Sequence, residues 1–389
     1  DFILQRTYPN STFEINTYKL ALNDAASRAA VERSSSVISW QLEGPGNIGG
    51  RFNCLAVHPT NPNIMFAGSA NGGVWKTIDN GATWLPITDM LPYQAIGAIA
   101  INPNDGNEIW IGTGDVNISG TMYAGDGVYK SLDGGVTWAY LGLSNTYVVS
   151  SIVFNTANDN EVLIGTMGNQ FNRDNNRGMY RTVNSGASFT NTLFVNDSTG
   201  VIDMIQHPTT PSIVYATSFS RIRTDRESLT LGTEVYVYKS TDFGLTWNML
   251  AGGLPNGPTH QRLGITICES SPNTLYALYS TSDGFTDPQL YKTVNGGTNW
   301  SLINFNSFDD GSYGSFGWYF GKIYVDPNNP NTLYIPGVDL QYSIDGGVNW
   351  NLRTPPWWQY DVHADGHHMY FTTSNDITYS TDGGLYRTY

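Results

Sequence analysis

The feature that most constrains the fold is an internal repeat. An eight-residue motif recurs: Ser/Thr, any residue, Asp/Asn, any residue, Gly, any two residues, then Trp/Phe. The third positions of successive copies are 54, 51, 58, 53 and 50 residues apart. A near-constant period of this length is typical of arrays in which each repeat is one supersecondary unit. The six copies start at Thr77, Ser131, Thr182, Ser240, Thr293 and Ser343.

Each repeat also contains the same succession of short apolar runs. In the first repeat these are Phe52–Val57, Ile64–Ala67 and Gly73–Thr77, with a fourth run starting at Trp84. Four short strands in about 50 residues predict one blade of a β-propeller. A seventh set of runs begins near Asp361. The sequence therefore predicts an all-β, seven-bladed β-propeller.

The motif has the chemistry of a tight turn between the third and fourth strands of a blade. Glycine supplies a positive φ, and the Ser/Thr and Asp/Asn side chains accept hydrogen bonds from nearby backbone N–H groups. Six equivalent turns cannot all be active sites, so the acidic or amide residue of each motif is expected to be structural. These residues are Asp79, Asp133, Asn184, Asp242, Asn295 and Asp345.

With these motifs the chain resembles the Asp-box (BNR-repeat) β-propellers, over about residues 40–389. That group includes sialidases, sortilin ectodomains and two-propeller xyloglucanase-type glycoside hydrolases. The segment Trp40–Arg51 resembles secreted Asp-box proteins of Bacteroidota, many of them exported by the type IX system. The resemblance implies a secreted or cell-surface protein, with the secretion machinery or a C-terminal half of the same protein as further partners.

The two ends of the sequence differ from the repeats. Residues 1–35 form an N-terminal extension, in which the Ala-rich Thr17–Arg33 predicts one amphipathic helix. Residues 36–389 form the propeller, with Trp40 in a strand that completes the last blade; alternatively, a C-terminal part supplies that strand and a second propeller. Because Gly383–Thr388 matches the third strand of the first repeat, we expect the chain to stop inside the last blade.

Composition excludes several classes of partner. The chain has 33 acidic and 19 basic residues, a net charge of −14, and this charge disfavours nucleic acid and anionic lipid as partners. Apolar runs fall short of the ~18 residues that a membrane helix needs, so the chain is not expected to be transmembrane. Cys54 and Cys268 lie in apolar runs and are expected to be buried free thiols, a disulfide being the alternative.

The loops opposite the motif turns vary in length and are rich in aromatic residues. Variable loops on a rigid scaffold are common sites of binding. Aromatic faces can stack on sugar rings or pack against a protein partner. We therefore expect a glycan or protein ligand to contact Tyr313, Trp318, Tyr319, Trp357, Trp358 and Tyr360.

A cluster of acids and histidines stands in the last repeat. Asp361, His363, Asp365 and His367 alternate in what is predicted to be an innermost strand, and this period places them on one face. Three interpretations stay open: a hydrogen-bonded polar plug in the central channel, acid/base chemistry, or a divalent-metal site made by His363, Asp365 and His367.

The functional interpretation favoured by the sequence is a non-enzymatic binding or adhesion module. Sialidase is disfavoured because the arginine segment of that family near the first blade is replaced by Ile48–Arg51. The alternative is a xyloglucanase-like glycoside hydrolase whose second propeller lies beyond the chain end. Its two catalytic carboxylates would be Asp361 or Asp365 with Asp382, which precedes a Gly-Gly pair as acids do in that family. A sortilin-like peptide receptor is a third possibility.

Overall fold

The structure is a computed structural model, and it describes most of the chain from residue 49 onward. The described ranges are 49–117, 123–224, 227–232, 234–255, 260–281, 288–308, 316–359 and 361–388, with single positions at 20, 21, 23, 24, 27 and 313. The five N-terminal positions are helical and fall within the predicted helix Thr17–Arg33. The rest of that helix and the predicted strand around Trp40 lie outside the described residues.

Seven antiparallel sheets follow one another along the chain, which confirms the all-β seven-bladed propeller. The first three blades pair their strands in sequence order. They comprise β1 (Phe52–Val57), β2 (Met65–Ser69), β3 (Val74–Thr77), β4 (Leu85–Pro86); β5 (Ile96–Ile101), β6 (Ile109–Thr113), β7 (Val128–Ser131), β8 (Ala139–Gly142); and β9 (Val149–Phe154), β10 (Val162–Thr166), β11 (Gly178–Thr182), β12 (Thr190–Leu193).

The remaining blades follow the same plan, with one insertion and one shorter sheet. The fourth blade pairs β13 (Thr199–Gln206), β14 (Val214–Ser220), β17 (Val237–Ser240) and β18 (Asn248–Met249), and a separate hairpin of β15 (Ile222–Arg223) and β16 (Ser228–Leu229) is inserted in it. The last three comprise β19 (His260–Cys268), β20 (Ser271–Thr281), β21 (Gln289–Thr293), β22 (Ser301–Ile303); β23 (Tyr324–Asp326), β24 (Asn329–Ile335), β25 (Gln341–Ser343), β26 (Asn351–Leu352); and β27 (Gly366–Phe371), β28 (Ile377–Thr381), β29 (Gly384–Arg387). Short 3-10 helices occupy Ser144–Thr146 and Trp357–Gln359.

The core lies between neighbouring blades. Every residue of β2, β6, β10 and β28 is buried, because each of these second strands is covered on both faces by adjacent sheets. Apolar clusters therefore combine residues of two blades, as where Phe66 of the first packs with Ile96 and Ile109 of the second. No described helix has both the length and the apolar character needed to cross a membrane.

The repeat turns share one set of hydrogen bonds. In the first, the Thr77 hydroxyl donates to Asp79 Oδ1 at 2.7 Å and accepts from the Gly81 N–H at 2.9 Å. The Thr83 N–H donates to the same carboxylate at 2.9 Å. The motif glycines have φ between 74° and 96°, a region that L side chains rarely adopt. Hydrogen bonds from within the turn, the side chain of Thr83 first, lower the pKa of Asp79 to about 2.

A basic side chain at the end of the third strand links most blades to the next. It donates to a backbone carbonyl in the neighbouring repeat turn, at 2.8 to 3.3 Å. The last of these bonds runs from the seventh blade back to the first, so the sheets form a closed ring. The pairs are Lys76–Gly134, Lys130–Ser185, Arg181–Phe243, Lys239–Gly296 and Arg387–Asn80.

Two further sequence predictions are confirmed. Gly384–Arg387 forms β29, the third strand of the last blade, and pairs with β28, which contains Ser380. Ser380, Asp382 and Gly384 match three positions of the repeat motif, but they lie at the junction of β28 and β29 and do not form a repeat turn. Cys54 and Cys268 are both buried free thiols.

Candidate functional site

Polar residues from five blades or the loops that precede them meet at one end of the central channel. In each blade the first strand begins, and the second strand ends, on the face opposite the repeat turns; we call it the variable-loop face. Arg51 precedes β1, Asp115 and Asn117 follow β6, Arg262 lies near the start of β19, Tyr319 precedes β23, His367 is in β27 and Asp382 follows β28. The closed ring thus brings together side chains that are far apart in sequence.

Asp382 is the centre of this group. His367 Nε2 lies 2.5 Å from its Oδ1, and the Tyr319 hydroxyl lies 3.1 and 3.2 Å from its two oxygens. Burial acts to raise the pKa of Asp382, but the hydrogen bond from His367 and the positive charge of Arg51 outweigh it, so the pKa falls below its usual value. Asp382 is therefore an ionised carboxylate near neutral pH.

Asp365 lies beside Asp382 and has the opposite electrostatics. Its backbone carbonyl accepts a hydrogen bond from the Asp382 N–H at 3.0 Å, and its φ is +64°. Burial, and then the negative charge of Asp382, raise the pKa of Asp365 to about 6. Two neighbouring carboxyl groups with oppositely displaced pKa values can divide the roles of acid and base.

Arg51 holds the outer side of the group. Its Nη2 lies 2.6 Å from Oδ2 of the fully buried Asp115, and its Nη1 donates to the Tyr319 hydroxyl at 2.9 Å. The hydroxyl, which accepts from Arg51, is left to donate to Asp382. Arg51 and Asp115 were not predicted as site residues; the available signal was that each adjoins a buried strand on the side of the variable loops.

Asn117 and Arg262 form the inner side of the group, where it meets the channel. Arg262 Nη1 donates to Asn117 Oδ1 at 2.9 Å, and Asn117 Nδ2 lies 3.2 Å from His367 Nδ1. Below them the channel contains a cavity of about 170 Å³, lined by polar and apolar residues in equal number, among them the ion pair Lys322–Asp203, 3.0 Å long. Sequence spacing gave no sign of either residue, because their partners belong to other blades.

The prediction that Asp361, His363, Asp365 and His367 share one face of a strand was wrong. The strand β27 begins only at Gly366, and the positive φ of Asp365 breaks the extended backbone before it. Asp361 and His363 are exposed, and His363 Nδ1 bonds to the carbonyl of Ala364 at 2.8 Å. Of the four alternating residues, His367 lines the channel cavity, where it belongs to a hydrogen-bonded polar cluster.

The proposed metal ligands do not converge. His363 is exposed, whereas His367 is buried and bonded to Asp382 and Asn117. Within the described ranges, no group of three or more His, Cys, Asp or Glu side chains is arranged to hold a metal ion. The donor geometry therefore does not fit the divalent-metal interpretation of His363, Asp365 and His367.

The predicted aromatic ligand contacts separate into two groups. Tyr313 is 4% exposed and bonds to the Ser280 hydroxyl at 2.6 Å, and Tyr319 is also buried, so neither ring offers a free face. Trp318 is partly buried, with the Arg221 guanidinium 4.9 Å from its ring centre, and lies 6.2 Å from the half-exposed Phe316. Trp358 is 57% exposed. The Trp357 side chain and Tyr360 lie outside the described residues.

The curated proteins that the chain matches in sequence include several xyloglucanases. The chain is 24% identical over 368 residues to a xyloglucanase of Paenibacillus sp, covering 85% of this chain and 33% of that protein. It is 24% identical over 359 residues to a xyloglucanase of Hypocrea jecorina (strain QM6a), covering 83% of this chain and 41% of that one. The chain thus spans well under half the length of these relatives. No protein-family model matches it.

The fold comparison agrees with the sequence comparison. The crystal structure of an ancestral GH74 enzyme superposes with a TM-score of 0.65 at 20% identity, covering 90% of this chain and 46% of that one. At this identity the likeness concerns the fold. The chain is therefore similar in sequence to xyloglucanases and similar in architecture to a GH74 enzyme.

Proposed function

We propose that the protein is a glycoside hydrolase that acts on a xyloglucan-like polysaccharide at the variable-loop face. The observation that carries the proposal is the neighbouring pair Asp365 and Asp382, one carboxyl with a raised pKa and the other with a lowered one. Glycosidases need this division, in which a protonated acid donates to the leaving oxygen and an ionised partner acts as base or nucleophile. The similarity to xyloglucanases supplies the substrate class.

In this proposal Asp365 is the general acid and Asp382 the ionised partner. A carboxyl with a pKa of about 6 keeps part of its proton in mildly acidic solution and releases it readily. Hydrogen bonds from His367 and Tyr319 keep Asp382 charged in a partly buried place. Asp361, the other candidate from sequence, is exposed and takes no part.

The substrate would lie along the aromatic residues of the same face. Phe316 and Trp358 are half or more exposed, and Phe316 is followed through Trp318 by Tyr319, which touches Asp382. Sugar rings bury their C–H faces against such side chains. Because a polysaccharide does not cross a membrane, we propose that the protein works outside the cell or at its surface.

The test is to incubate the purified protein with a panel of plant and host glycans. Hydrolysis is measured as the release of reducing ends. Asp365→Asn and Asp382→Asn are each expected to lower kcat/KM by roughly 10²- to 10⁴-fold, the usual contribution of a general acid or base. Asp361→Asn is the matched control, since it removes an exposed carboxylate from the same segment, and it should retain activity.

Binding without cleavage would overturn the proposal in favour of a binding or adhesion module. The exposed rings of Phe316 and Trp358 suit that second function. In that case Phe316→Ala and Trp358→Ala would weaken the binding of a glycan or protein ligand, whereas Asp365→Asn would leave it unchanged.

A further inference from the structure

We propose that Asn117 is a positioning residue, which fixes His367 in the tautomer that donates from Nε2 to Asp382. The inference rests on the proposed function for its consequence in catalysis, but the hydrogen-bond pattern itself can be tested without a substrate. It concerns four residues in series, Arg262, Asn117, His367 and Asp382, which belong to or adjoin the fifth, second and seventh blades.

The orientation of the Asn117 amide is set by Arg262. A guanidinium can only donate hydrogen bonds, so the group that faces Arg262 Nη1 at 2.9 Å must be the amide oxygen. The Nδ2 of Asn117 is then directed to two acceptors, Asn53 Oδ1 at 3.0 Å and His367 Nδ1 at 3.2 Å. The amide is thereby fully used, and a rotated amide would place two donors against each other.

The amide in turn decides where the proton of His367 lies. Because Asn117 donates to Nδ1, this nitrogen must carry its lone pair, and the proton of the neutral ring must be on Nε2. Nε2 faces Asp382 Oδ1 at 2.5 Å, where an ionised carboxylate can only accept. Both ends of the ring are satisfied only in this tautomer.

Burial makes the other tautomer, with the proton on Nδ1, costly. Asn117 and His367 are each 3% exposed and Arg262 is 2% exposed, so a hydrogen bond lost between them costs more than one lost at the surface. Burial also lowers the pKa of His367, which favours the neutral ring. If the proton moved to Nδ1, the Nε2 lone pair would face the carboxylate, and Asp382 would lose its closest donor.

Nitrogen NMR of ¹⁵N-histidine-labelled protein reads the tautomer directly, with His367→Gln used to assign the signal. In the wild type between pH 6 and 8, His367 is expected to be neutral with its proton on Nε2. An imidazolium ring, or a proton on Nδ1, would overturn the inference even if no variant could be made.

Asn117→Asp then tests the role of the amide at nearly constant shape. A carboxylate beside Nδ1 accepts instead of donating, so the His367 signal should change to a form protonated at Nδ1. An unchanged signal would also overturn the inference. Asn329→Asp is the control, because it adds the same charge at the exposed start of β24, on the other face.

Activity separates this inference from the proposed function. If wild-type protein cleaves glycans, Asn117→Asp should lower kcat/KM by roughly 10²- to 10⁴-fold, the usual contribution of general acid–base catalysis, and should shift the acidic limb of the pH profile. The charged or titratable groups around His367 that contribute to this limb are Asp382, Asp115, Arg51, Arg262 and Tyr319. If no glycan is cleaved, the proposed function fails, and the NMR spectra still decide the tautomer.

Discussion

The two faces of the ring are built in opposite ways. On the repeat-turn face, one pattern of hydrogen bonds recurs in every copy of the motif, between residues at most four positions apart. On the variable-loop face, single residues from different blades form one network, with separations such as 268 residues between Arg51 and Tyr319. Local repetition stabilises each turn within its own blade, whereas the candidate site exists only when the whole ring has closed.

A glycine of the repeat-turn face offers the largest expected effect on stability. Gly186 has a φ of +89°, and an added Cβ would lie 2.6 Å from Leu141 Cδ1 and 2.9 Å from Trp110 Cη2. Gly186→Ala should lower the free energy of unfolding by about 3 kcal/mol, from backbone strain together with overpacking. Chemical denaturation measures it; kcat/KM at a temperature where the variant is folded should not change.

The removal of one tyrosine hydroxyl on each face compares the two faces most directly, because the two changes should affect different properties. Tyr319→Phe removes the donor to Asp382, and Tyr215→Phe removes a buried bond to the Gly296 carbonyl, 2.9 Å long, at a repeat turn. Tyr319→Phe should lower kcat/KM by roughly 10-fold or more. Tyr215→Phe should cost about 1 kcal/mol of stability and leave activity unchanged. Equal effects of the two variants on activity would contradict the contrast between the faces.

The pH dependence of stability should have opposite signs on the two faces. The pKa of Asp365 is raised to about 6, so the folded protein favours the protonated side chain. The stability that this side chain contributes is fully present below pH ~4 and is lost as the pH rises through 6. Asp365→Asn should therefore stabilise the protein by about 1 kcal/mol at pH 8, after allowance for solvent screening, and by nothing at pH 3.5. Urea unfolding at the two pH values measures this.

The acids of the repeat turns provide the comparison. Hydrogen bonds, first that from the Asn349 N–H, lower the pKa of Asp345 to about 2. Its contribution is therefore present above pH ~4 and is lost as the pH falls toward 2. Asp345→Asn should lower the midpoint of thermal unfolding at pH 7, with a smaller difference at pH 2. A larger difference at acidic pH would show that the sign is wrong.

The smallest effect is expected at the bond that joins the last blade to the first. Arg387→Met removes the hydrogen bond to the Asn80 carbonyl and the ion pair with Asp376, both partly exposed. We expect a loss of about 1 kcal/mol. Lys239→Met, which removes the equivalent bond inside the ring, is the control. Because Arg387→Met also removes the ion pair with Asp376, a loss smaller than that of Lys239→Met would show that the joint between the ends is weaker than the joint inside the ring.

The sequence predicted the features that recur within each repeat and missed the contacts between residues of different blades. The blades, the repeat turns and the third strand at Gly384 followed from a pattern that recurs within each repeat. Asp365 and Asp382 were named from local motifs, but their pairing depends on the break in the backbone before β27, which alternation of residue types does not reveal. Arg51, Asn117 and Arg262 could not be found in this way, because their partners are set by the order of blades around the ring.

The bond between Arg387 and Asn80 spans 307 residues of sequence and has a consequence for folding. Blades can form one after another during synthesis, but this contact has to wait until almost the entire described chain has left the ribosome. Native contacts of such long separation are slow to form, and until then the first sheet leaves apolar surface uncovered. The assembly of the ring is thus the step at which chaperones would have the most to protect.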